Sequence, residues 1–238
     1  MGRDAETMSL PPGVARDIAC QKYVDGKWQL ISLSVPKEMA FTIYVNSQEL
    51  VTILCTPLKL NCLVLGYLLA EGIIVDMKDV ASMRVCEDDA LADVKLTLSD
   101  FVLPKKRILT SGCGGGINLN SNMGASKIKT DISLAPKQIL QLMRYMHESA
   151  ELYSLTGGIH TSALCDKRAV MVVSEDIGRH NTLDKIMGEC LLHKISTKNK
   201  ILLTSGRVSS EMTLKAAKMQ VPVIASLTSP TTLCGISP

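Results

Sequence analysis

Two short stretches of the N-terminal half, residues 41–45 and 50–54, consist mainly of apolar, β-branched and aromatic residues, as strands do. They flank the polar residues 46–49, and two such runs around a short polar segment predict a β-hairpin. Two further short strands are predicted at residues 80–86 and 94–98, and in the second Val94, Leu96 and Leu98 fall on one face. The preceding residues 1–19 are polar and contain Pro11-Pro12-Gly13, so they are expected to form a loose arm.

A helix is predicted between the two pairs of strands. Thr56 is expected to cap it and Pro57 to occupy its first position, which is a common way for a helix to begin. Gly72 is placed to end it, because glycine readily adopts the left-handed conformation that follows a helix. The apolar residues that recur at helical spacing between them are Leu60, Leu63, Val64, Tyr67 and Leu68.

The second half of the chain alternates helices with apolar strands. Pro136 opens a helix that Gly157-Gly158 is expected to close. The later helices are predicted at 181–192 and 209–219, and the strands at 161–165, 169–173, 201–204 and 221–227. This alternation predicts an α/β core, a sheet that is at least partly parallel and is covered by helices on both faces.

The chain is therefore divided into three regions. Residues 1–108 are expected to form the arm and a small α+β domain, residues 109–128 a mobile glycine-rich loop, and residues 129–238 the α/β core domain. Ligand sites in α/β sheets gather where strands end and helices begin. That rule selects residues 157–161, 174–181 and 205–211.

Composition narrows the possible functions. A net charge of +3 is too mild to indicate a nucleic-acid partner. The longest apolar run, residues 63–75, is too short for a membrane span and contains Glu71, and the N-terminus lacks the apolar stretch of a secretion signal. None of the eight cysteines forms a C-x-x-C pair, so a zinc ribbon and a thioredoxin-type redox pair are not expected. Reduced thiols and a cytoplasmic location are expected.

Cys113 is the most unusual residue of the sequence because four glycines surround it in the segment SGCGGG, residues 111–116. Glycine leaves the backbone free to bring a bulky partner close to the sulfur. The basic run at 105–107 is expected to lower the pKa of the Cys113 thiol and so to favour the reactive thiolate. A flexible turn with an incidental cysteine is the alternative that this segment alone leaves open.

The densest polar cluster is the segment SEDIGRHN, residues 174–181. Arg179 offers paired donors that suit phosphate, and Asp176 can pair with that arginine or accept from a guanine-like edge. His180 and Asn181 lie at the expected helix start, where anions are favoured. A solvated turn held by a local Asp–Arg pair is the structural alternative.

Two further segments repeat this pattern of strand end, glycine and polar residue. His160 follows Gly157-Gly158 and can donate a hydrogen bond or a proton, although an isolated histidine is often structural. Arg207 follows Gly206, and Met212 in the next helix can pack on a flat ring or belong to the core. With Cys113 as nucleophile and His160 or His180 as base, a Cys–His hydrolase is also possible, but glycines do not hold a nucleophile rigidly.

Several of these segments resemble the formate dehydrogenase accessory sulfurtransferases, the FdhD family, over about residues 41–232. The resemblance rests on Thr56-Pro57 with LGYLLAEGII at 65–74, on TGGIHT at 156–161, on EDIGRHN at 175–181 followed by Asp184-Lys185, and on SGRVSSEM at 205–212. It implies a three-layer α/β/α cytidine-deaminase-like core without the deaminase zinc, preceded by a smaller domain.

The resemblance also implies a function. Family members accept sulfur from a cysteine desulfurase as a persulfide and pass it to the molybdenum bis-guanine-dinucleotide cofactor before formate dehydrogenase receives it. Cys113 matches the persulfide cysteine, and the three polar segments would hold the guanine and phosphates, with GDP as a mimic. Members usually form homodimers. A cofactor-binding chaperone without covalent sulfur chemistry is the alternative.

Two departures from the family pattern are visible. Many members carry C-x-x-C in the loop, whereas this chain has Gly116 at the second position. A second thiol can release sulfur by forming a disulfide, so a single Cys113 would transfer it directly or use another reductant. The sequence also stops at Pro238, short of a helix and strand that the family pattern continues into.

Overall fold

The computed structural model describes residues 10–98 and 128–232. Within them the chain forms three separate sheets and five helices, with a short 3₁₀ turn at Met77–Asp79. In chain order the elements are β1 (Ala15–Val24), β2 (Lys27–Pro36), β3 (Met39–Val45), β4 (Gln48–Cys55), α1 (Leu60–Glu71), β5 (Val80–Cys86), β6 (Leu91–Leu96), α2 (Pro136–Glu148), α3 (Glu151–Thr156), β7 (His160–Cys165), β8 (Val170–Asp176), α4 (Arg179–Leu192), β9 (Ile201–Thr204), α5 (Ser210–Lys218) and β10 (Val223–Ser226).

The first two strands, β1 and β2, contradict part of the predicted loose arm. Residues 15–19 belong to β1, which pairs antiparallel with β2 along its whole length. The two strands connect through Asp25 and Gly26, both at positive φ, as a two-residue hairpin turn requires. No local pattern indicated this hairpin, because its residues are mostly exposed and no buried face imposes a regular apolar stripe.

The second sheet has the strand order β4-β3-β6-β5. The predicted hairpin is confirmed as β3 and β4, with Asn46 and Ser47 at positive φ in the turn. β6 lies parallel to β3 on its other side and antiparallel to β5. Side chains from β3, β4 and β6 pack against α1 in a core built around Phe41, Ile43 and Leu63.

The start of α1 differs from the prediction, whereas its end is confirmed. The N-cap position is Lys59, in the left-handed conformation and without a side-chain cap, so neither Thr56 nor Pro57 has its predicted role. Thr56 is instead buried and bonded to the second half of the chain. Gly72 ends the helix at φ 72°, and its N–H donates to carbonyls of the last turn.

The third sheet has the order β10-β9-β7-β8, in which only β9 and β10 are parallel. Leu164 and Leu202 face one side of it and pack with α4 and α5. Ala163 and Leu203 face the other side and pack with α2. A partly parallel sheet with helices on both faces is therefore confirmed. The more specific cytidine-deaminase-like layering stays a prediction.

The segment between α2 and β7 contains a break that the sequence analysis missed. Pro136 opens α2 as predicted, but the helix ends at Glu148, and α3 follows as a separate helix that Gly157 terminates at φ 67°. The proposed division of the chain at residues 109–128 stays a prediction, since residues 99–127 lie outside the described part. Among the described helices, none is long and apolar enough to cross a bilayer.

Helices α1 and α4 cross in backbone contact, and glycine makes this possible on both sides. A Cβ added to Gly66 would lie 1.7 Å from the carbonyl oxygen of Asp184, and one added to Gly188 would lie 1.9 Å from that of Cys62. No side chain fits at such distances. This contact joins the second sheet, which α1 covers, to the third sheet, which α4 covers.

We expect Gly66→Ala to lower the free energy of unfolding by about 3 kcal/mol or more, because overpacking against backbone atoms cannot be relieved by a rotamer change. Chemical denaturation measures this quantity. Gly158→Ala is the matched control, since its Cβ would make an ordinary contact, 3.5 Å from Pro36 Cδ. Equal stability of the two variants would show that the helices do not cross at this distance.

Candidate functional site

Three chain segments meet at one edge of the third sheet. β7 begins there, whereas β8 and β9 end there, because β7 runs antiparallel to both. The register places His160 beside Asp176 and Ser162 beside Thr204. All three segments selected from the sequence therefore lie at the same edge, which antiparallel pairing of the central strand makes possible.

Gly206 lies at the centre of this convergence. A Cβ at this position would be 3.0 Å from the Cβ of Arg179 and 3.3 Å from Nδ1 of His160. The backbone of the same turn is held by Ser205, whose N–H donates to the Thr161 carbonyl at 2.8 Å and whose hydroxyl accepts from the Thr161 N–H at 3.0 Å. Arginine and histidine side chains thus flank a bare stretch of backbone.

Asp176 is fully buried, and both of its carboxylate oxygens are bonded within the protein. Oδ2 accepts from the Thr56 N–H at 3.1 Å and lies 2.6 Å from Nζ of Lys185. Oδ1 accepts from the Gly178 N–H and from the side chain of Asn181, each at 2.8 Å. In this arrangement Asp176 holds the turn together with its buried carboxylate, and its predicted contact with a cofactor stays a prediction.

Asn181 has the same internal role. Its side-chain nitrogen donates to Asp176 and also, at 2.8 Å, to the Leu54 carbonyl at the end of β4. Both amide hydrogens are therefore used to join α4 to the second sheet. Asn181 is buried, and its predicted contact with a cofactor stays a prediction.

Lys185 is a residue whose importance the residue patterns did not reveal, although it belongs to a resembling segment. Its ammonium group is fully buried, pairs with Asp176, and donates at 3.1 Å to the carbonyls of Thr56 and Glu175. A buried ammonium with three oxygen partners satisfies all of its donors. The available signal was its place in the pair Asp184-Lys185, which follows EDIGRHN in the resemblance.

Glu175 positions the segment that precedes His160. Its carboxylate accepts from the N–H groups of Leu152 and Tyr153 at 3.0 and 2.8 Å, at the start of α3. The Thr161 hydroxyl lies 3.4 Å from the same group. Glu175 therefore connects α3 to β7 and β8, and the patterns gave no indication of this role.

His180 is buried near the start of α4 and is neutral at ordinary pH. Its Nε2 lies 3.2 Å from the Ser209 hydroxyl and 3.4 Å from Oε2 of Glu211. Burial, together with the positive charges of Lys215 and Arg179, lowers the pKa of His180 to about 3. The contact with Glu211 is consequently made by a neutral ring, not by a cation.

A chain of buried charges continues from Glu211 into the protein. Lys215 lies 3.6 Å from Glu211 and 2.7 Å from Asp184, and all three are buried. Burial raises the pKa of the Asp184 carboxyl. Burial opposes the charge on Lys215, but the neighbouring carboxylates of Asp184 and Glu211 prevail and raise its pKa.

The accessible polar groups at this edge are His160, Arg179 and Arg207. His160 and Arg179 are half-buried, and Arg207 is exposed. Burial and the nearby Arg179 charge lower the pKa of His160, so this ring is also favoured in its neutral form. A neutral imidazole has one donor and one acceptor, so His160 can form hydrogen bonds with the polar edge of a ring.

Of the two roles that the sequence leaves open for Met212, the structure shows the core position, and a ligand contact stays a prediction. Its side chain is fully buried in the apolar cluster formed with α4 and β9. The spacing of α5 turns this residue inward, and Ser209, whose hydroxyl accepts from the Met212 N–H, caps the helix. Met212 therefore supports the position of α5 from within the core.

Cys113 lies outside the described residues. Among the cysteines that the structure describes, burial raises the pKa of Cys55, Cys165 and Cys190 to about 12 and raises that of Cys62 as well. A thiolate is the reactive form of cysteine, so a raised pKa makes these four thiols unreactive. Within residues 10–98 and 128–232, no group of three His, Cys, Asp or Glu side chains is arranged to hold a metal ion.

Comparison with known proteins gives consistent matches. The model of the FdhD/NarQ family matches residues 36–235. A sulfur carrier protein FdhD of Bacillus pumilus is 36% identical over 233 residues, which is 94% of this chain and 88% of that protein. The corresponding protein of Staphylococcus aureus (strain MRSA252) is 38% identical over 218 residues, covering 89% and 82% of the two chains.

A solved structure shares the fold. The crystal structure of a formate dehydrogenase accessory protein from Desulfotalea psychrophila superposes with a TM-score of 0.71 at 24% identity. The match covers 92% of this chain and 86% of the other.

The buried neutral His180 predicts a specific pH dependence of stability. Its pKa is lower in the folded than in the unfolded protein, so the unfolded state binds the proton preferentially, and stability falls as pH drops below about 6.5. Between pH 7 and pH 5 the wild type is expected to lose free energy of unfolding through this group. In His180→Gln we expect that loss to be smaller by about 2 kcal/mol. Denaturant unfolding at the two pH values measures the difference.

Two comparisons make this measurement specific. His193→Gln removes a histidine from the surface and is expected to keep the wild-type loss. Comparing each variant with the wild type cancels Glu71, whose pKa burial raises to about 7 and whose contribution has the opposite sign. An unchanged loss in His180→Gln would mean that this ring is not held neutral.

Proposed function

Because the chain belongs to the FdhD/NarQ family, we propose that it is a sulfur carrier that serves formate dehydrogenase maturation. Cys113 accepts sulfur from a cysteine desulfurase and delivers it to the molybdenum bis-guanine-dinucleotide cofactor, which is the substrate. The relatives' name, sulfur carrier protein, supports this function. The protein is expected to act in the cytoplasm as a homodimer.

The loading step is an exchange between a thiolate and a persulfide. The Cys113 thiolate attacks the outer sulfur of the donor's persulfide, a new S–S bond forms, and the donor cysteine leaves as a thiolate. Transfer of the sulfur to the cofactor as sulfide requires two electrons. Since Gly116 occupies the position of a second loop cysteine, we infer that a thiol of another molecule supplies them.

The proposed cofactor site rests on one observation, which is that two helix N-termini and two arginines converge at one edge of the sheet. α4 begins at Arg179 and α5 begins two residues after Val208, beside the bare backbone of Gly206. Helix N-termini favour anions, and arginine binds phosphate with paired donors. These groups suit the phosphates of a guanine dinucleotide, and the neutral His160 suits a base edge.

The proposed roles differ among the predicted residues. Arg179, Arg207 and His160 contact the cofactor. His180 lies directly behind them and supports the Ser209 turn. Asp176 with its bonded partners, and Met212, are buried and position these groups without contacting the cofactor. The two-sided helical cover of the third sheet supports the cytidine-deaminase-like layering of the fold.

A cofactor-binding chaperone without covalent sulfur chemistry is the second candidate. One observation favours it: none of the side chains proposed to hold the cofactor, Arg179, Arg207 and His160, is a thiol. A Cys–His hydrolase has less support, because the lowered pKa values of His160 and His180 make both rings weak bases.

We expect Cys113→Ala to abolish loading by a cysteine desulfurase and cysteine, because the alanine cannot form a persulfide. Intact-protein mass spectrometry measures loading as the addition of one sulfur atom. Cys86→Ala is the matched control, because Cys86 is partly exposed and lies on β5. It is expected to load like the wild type. Persistence of the adduct in Cys113→Ala would show that another cysteine carries the sulfur.

The same variants separate the two candidate functions. A carrier without Cys113 fails to activate formate dehydrogenase, whereas a chaperone without Cys113 activates it fully. Cys86→Ala controls for damage that is common to cysteine replacement.

We expect Arg179→Ala to weaken GDP binding by about tenfold or more, because hydrogen bonds to charged groups contribute about 1.5–3 kcal/mol. Isothermal titration calorimetry measures the dissociation constant. Arg168→Ala is the matched control, since Arg168 is exposed in the turn between β7 and β8 at the opposite edge of the sheet. Equal affinities of the two variants would place the nucleotide elsewhere.

A further inference from the structure

Glu211 has a buried carboxylate whose two oxygens are in different surroundings. Oε1 lies 3.6 Å from the ammonium group of Lys215. Oε2 lies 3.4 Å from Nε2 of His180, but it accepts no hydrogen bond from the part of the chain that the structure describes. Burial of an acceptor without a donor is costly, because its bonds to water are lost without replacement. Glu211 therefore holds an unused acceptor beside a titratable ring.

The fully buried charges behind this ring do not balance. Lys215 pairs with Asp184 at 2.7 Å, so one ammonium group serves the two buried carboxylates of Asp184 and Glu211. Oδ1 of Asp184 also has no donor among the described residues. Glu71 and Lys218, which are half-buried beside this cluster, add one charge of each sign. An excess of buried negative charge favours a cation as its neighbour.

His180 is kept neutral in the free protein by its positive neighbours. Burial has the largest effect on the pKa of this ring, and Lys215 of α5, Arg179 of α4 and His160 of β7 lower it further. Arg179 and His160 belong to the edge that holds the phosphates in the proposed function. A phosphate paired with Arg179 offsets the charge of the guanidinium group and adds negative charge near the ring. An anion bound there therefore favours the imidazolium form of His180.

The imidazolium can use the oxygen that the neutral ring leaves unpaired. A neutral imidazole has one N–H and one bare nitrogen, and the bare nitrogen gains one proton from the solvent. Both ring nitrogens then donate, so that Nε2–H is available to Oε2 of Glu211 and to the Ser209 hydroxyl, which lies 3.2 Å from Nε2. Hydrogen bonds between charged groups are stronger than those between neutral groups. The new contact holds the ring against the start of α5.

We propose that Glu211 is a positioning residue of the cofactor site: an anionic ligand binds beside Arg179 together with a proton, which His180 takes up and Glu211 stabilises as its counter-ion. This inference rests on the proposed function, because it requires phosphates at this edge of the sheet. It adds a pH dependence of ligand affinity. Affinity rises as pH falls, because the liganded protein binds more protons than the free protein.

Proton uptake on binding tests the proposal, with diguanosine pyrophosphate as the probe. GDP is less suitable because its terminal phosphate titrates at about pH 6, and the probe has no terminal phosphate. Calorimetry at pH 5.5 in acetate and in MES, two buffers of different ionisation enthalpy, gives the number of protons taken up. We expect about half a proton or more per ligand in the wild type and almost none in His180→Gln.

Glu211→Gln tests the counter-ion, because glutamine keeps the volume of the side chain and removes its charge. We expect this variant to take up less than about half as much as the wild type. Glu71→Gln is the matched control, since Glu71 belongs to the same cluster but is not among the groups that act on His180. It is expected to keep the wild-type uptake. Equal uptake by Glu211→Gln and the wild type overturns the role of Glu211.

Nuclear magnetic resonance shows where the proton goes, because the sequence contains four histidines. The ring C–H signal that is missing in His180→Gln identifies His180. In the wild type this signal is expected to keep its neutral position down to pH 5.5 without the probe and to move toward the imidazolium position with it. The measurement needs no Glu211 variant, so it decides the proposal even where Glu211→Gln does not fold.

The remaining outcomes separate this inference from the proposed function. Binding of the probe by the wild type without proton uptake overturns the inference and leaves the proposed function standing. Uptake that persists in His180→Gln and is lost in His160→Gln assigns the proton to the other ring, and this also overturns the inference. A wild type that does not bind the probe at pH 5.5 or at pH 7 overturns the proposed cofactor site and the inference together.

Discussion

The backbone contact between α1 and α4 is the constraint on which the rest of the structure depends. Gly66 and Gly188 let the two helices approach without side chains between them. One turn before Gly188, Lys185 points into the same interface and reaches Asp176 and the Thr56 carbonyl. The crossing thereby brings the end of β4 to the end of β8, which are far apart in the chain. Burial of an ammonium group without polar partners is costly, so the close approach of the helices depends on these partners.

This buried arrangement explains how the edge of the third sheet presents its charges. Asp176 and Asn181 use their polar atoms internally and so fix the first turn of α4. Arg179, in that turn, lies close to Gly206 and His160. The exposed groups at the edge are thus held by a layer of buried polar residues beneath them. Preorganisation of this kind favours binding because little freedom remains to be lost when a ligand arrives.

Much of the fold could be predicted from the sequence because the local spacing of apolar residues indicated it. The hairpin of β3 and β4, the end of α1 at Gly72 and the alternation of elements after Pro136 all follow from the spacing of apolar residues and the conformations of glycine and proline. The three polar segments were also found, because polar residues after a strand have few structural uses. Exposed elements were missed, as β1 shows, since no buried face imposes a pattern on them.

The sequence by itself determined the strands, the helices and the identity of the polar segments, since these depend on neighbours within a few positions. Only the tertiary structure decided which polar residues face solvent. Thr56 looked like a helix cap and Met212 like a possible ligand contact, but the first is bonded to α4 and β8 and the second is buried in the core. The type of a residue and its spacing show which bonds it can form. Which groups it actually contacts depends on how distant elements pack, because burial arises from contacts between segments that no local pattern encodes.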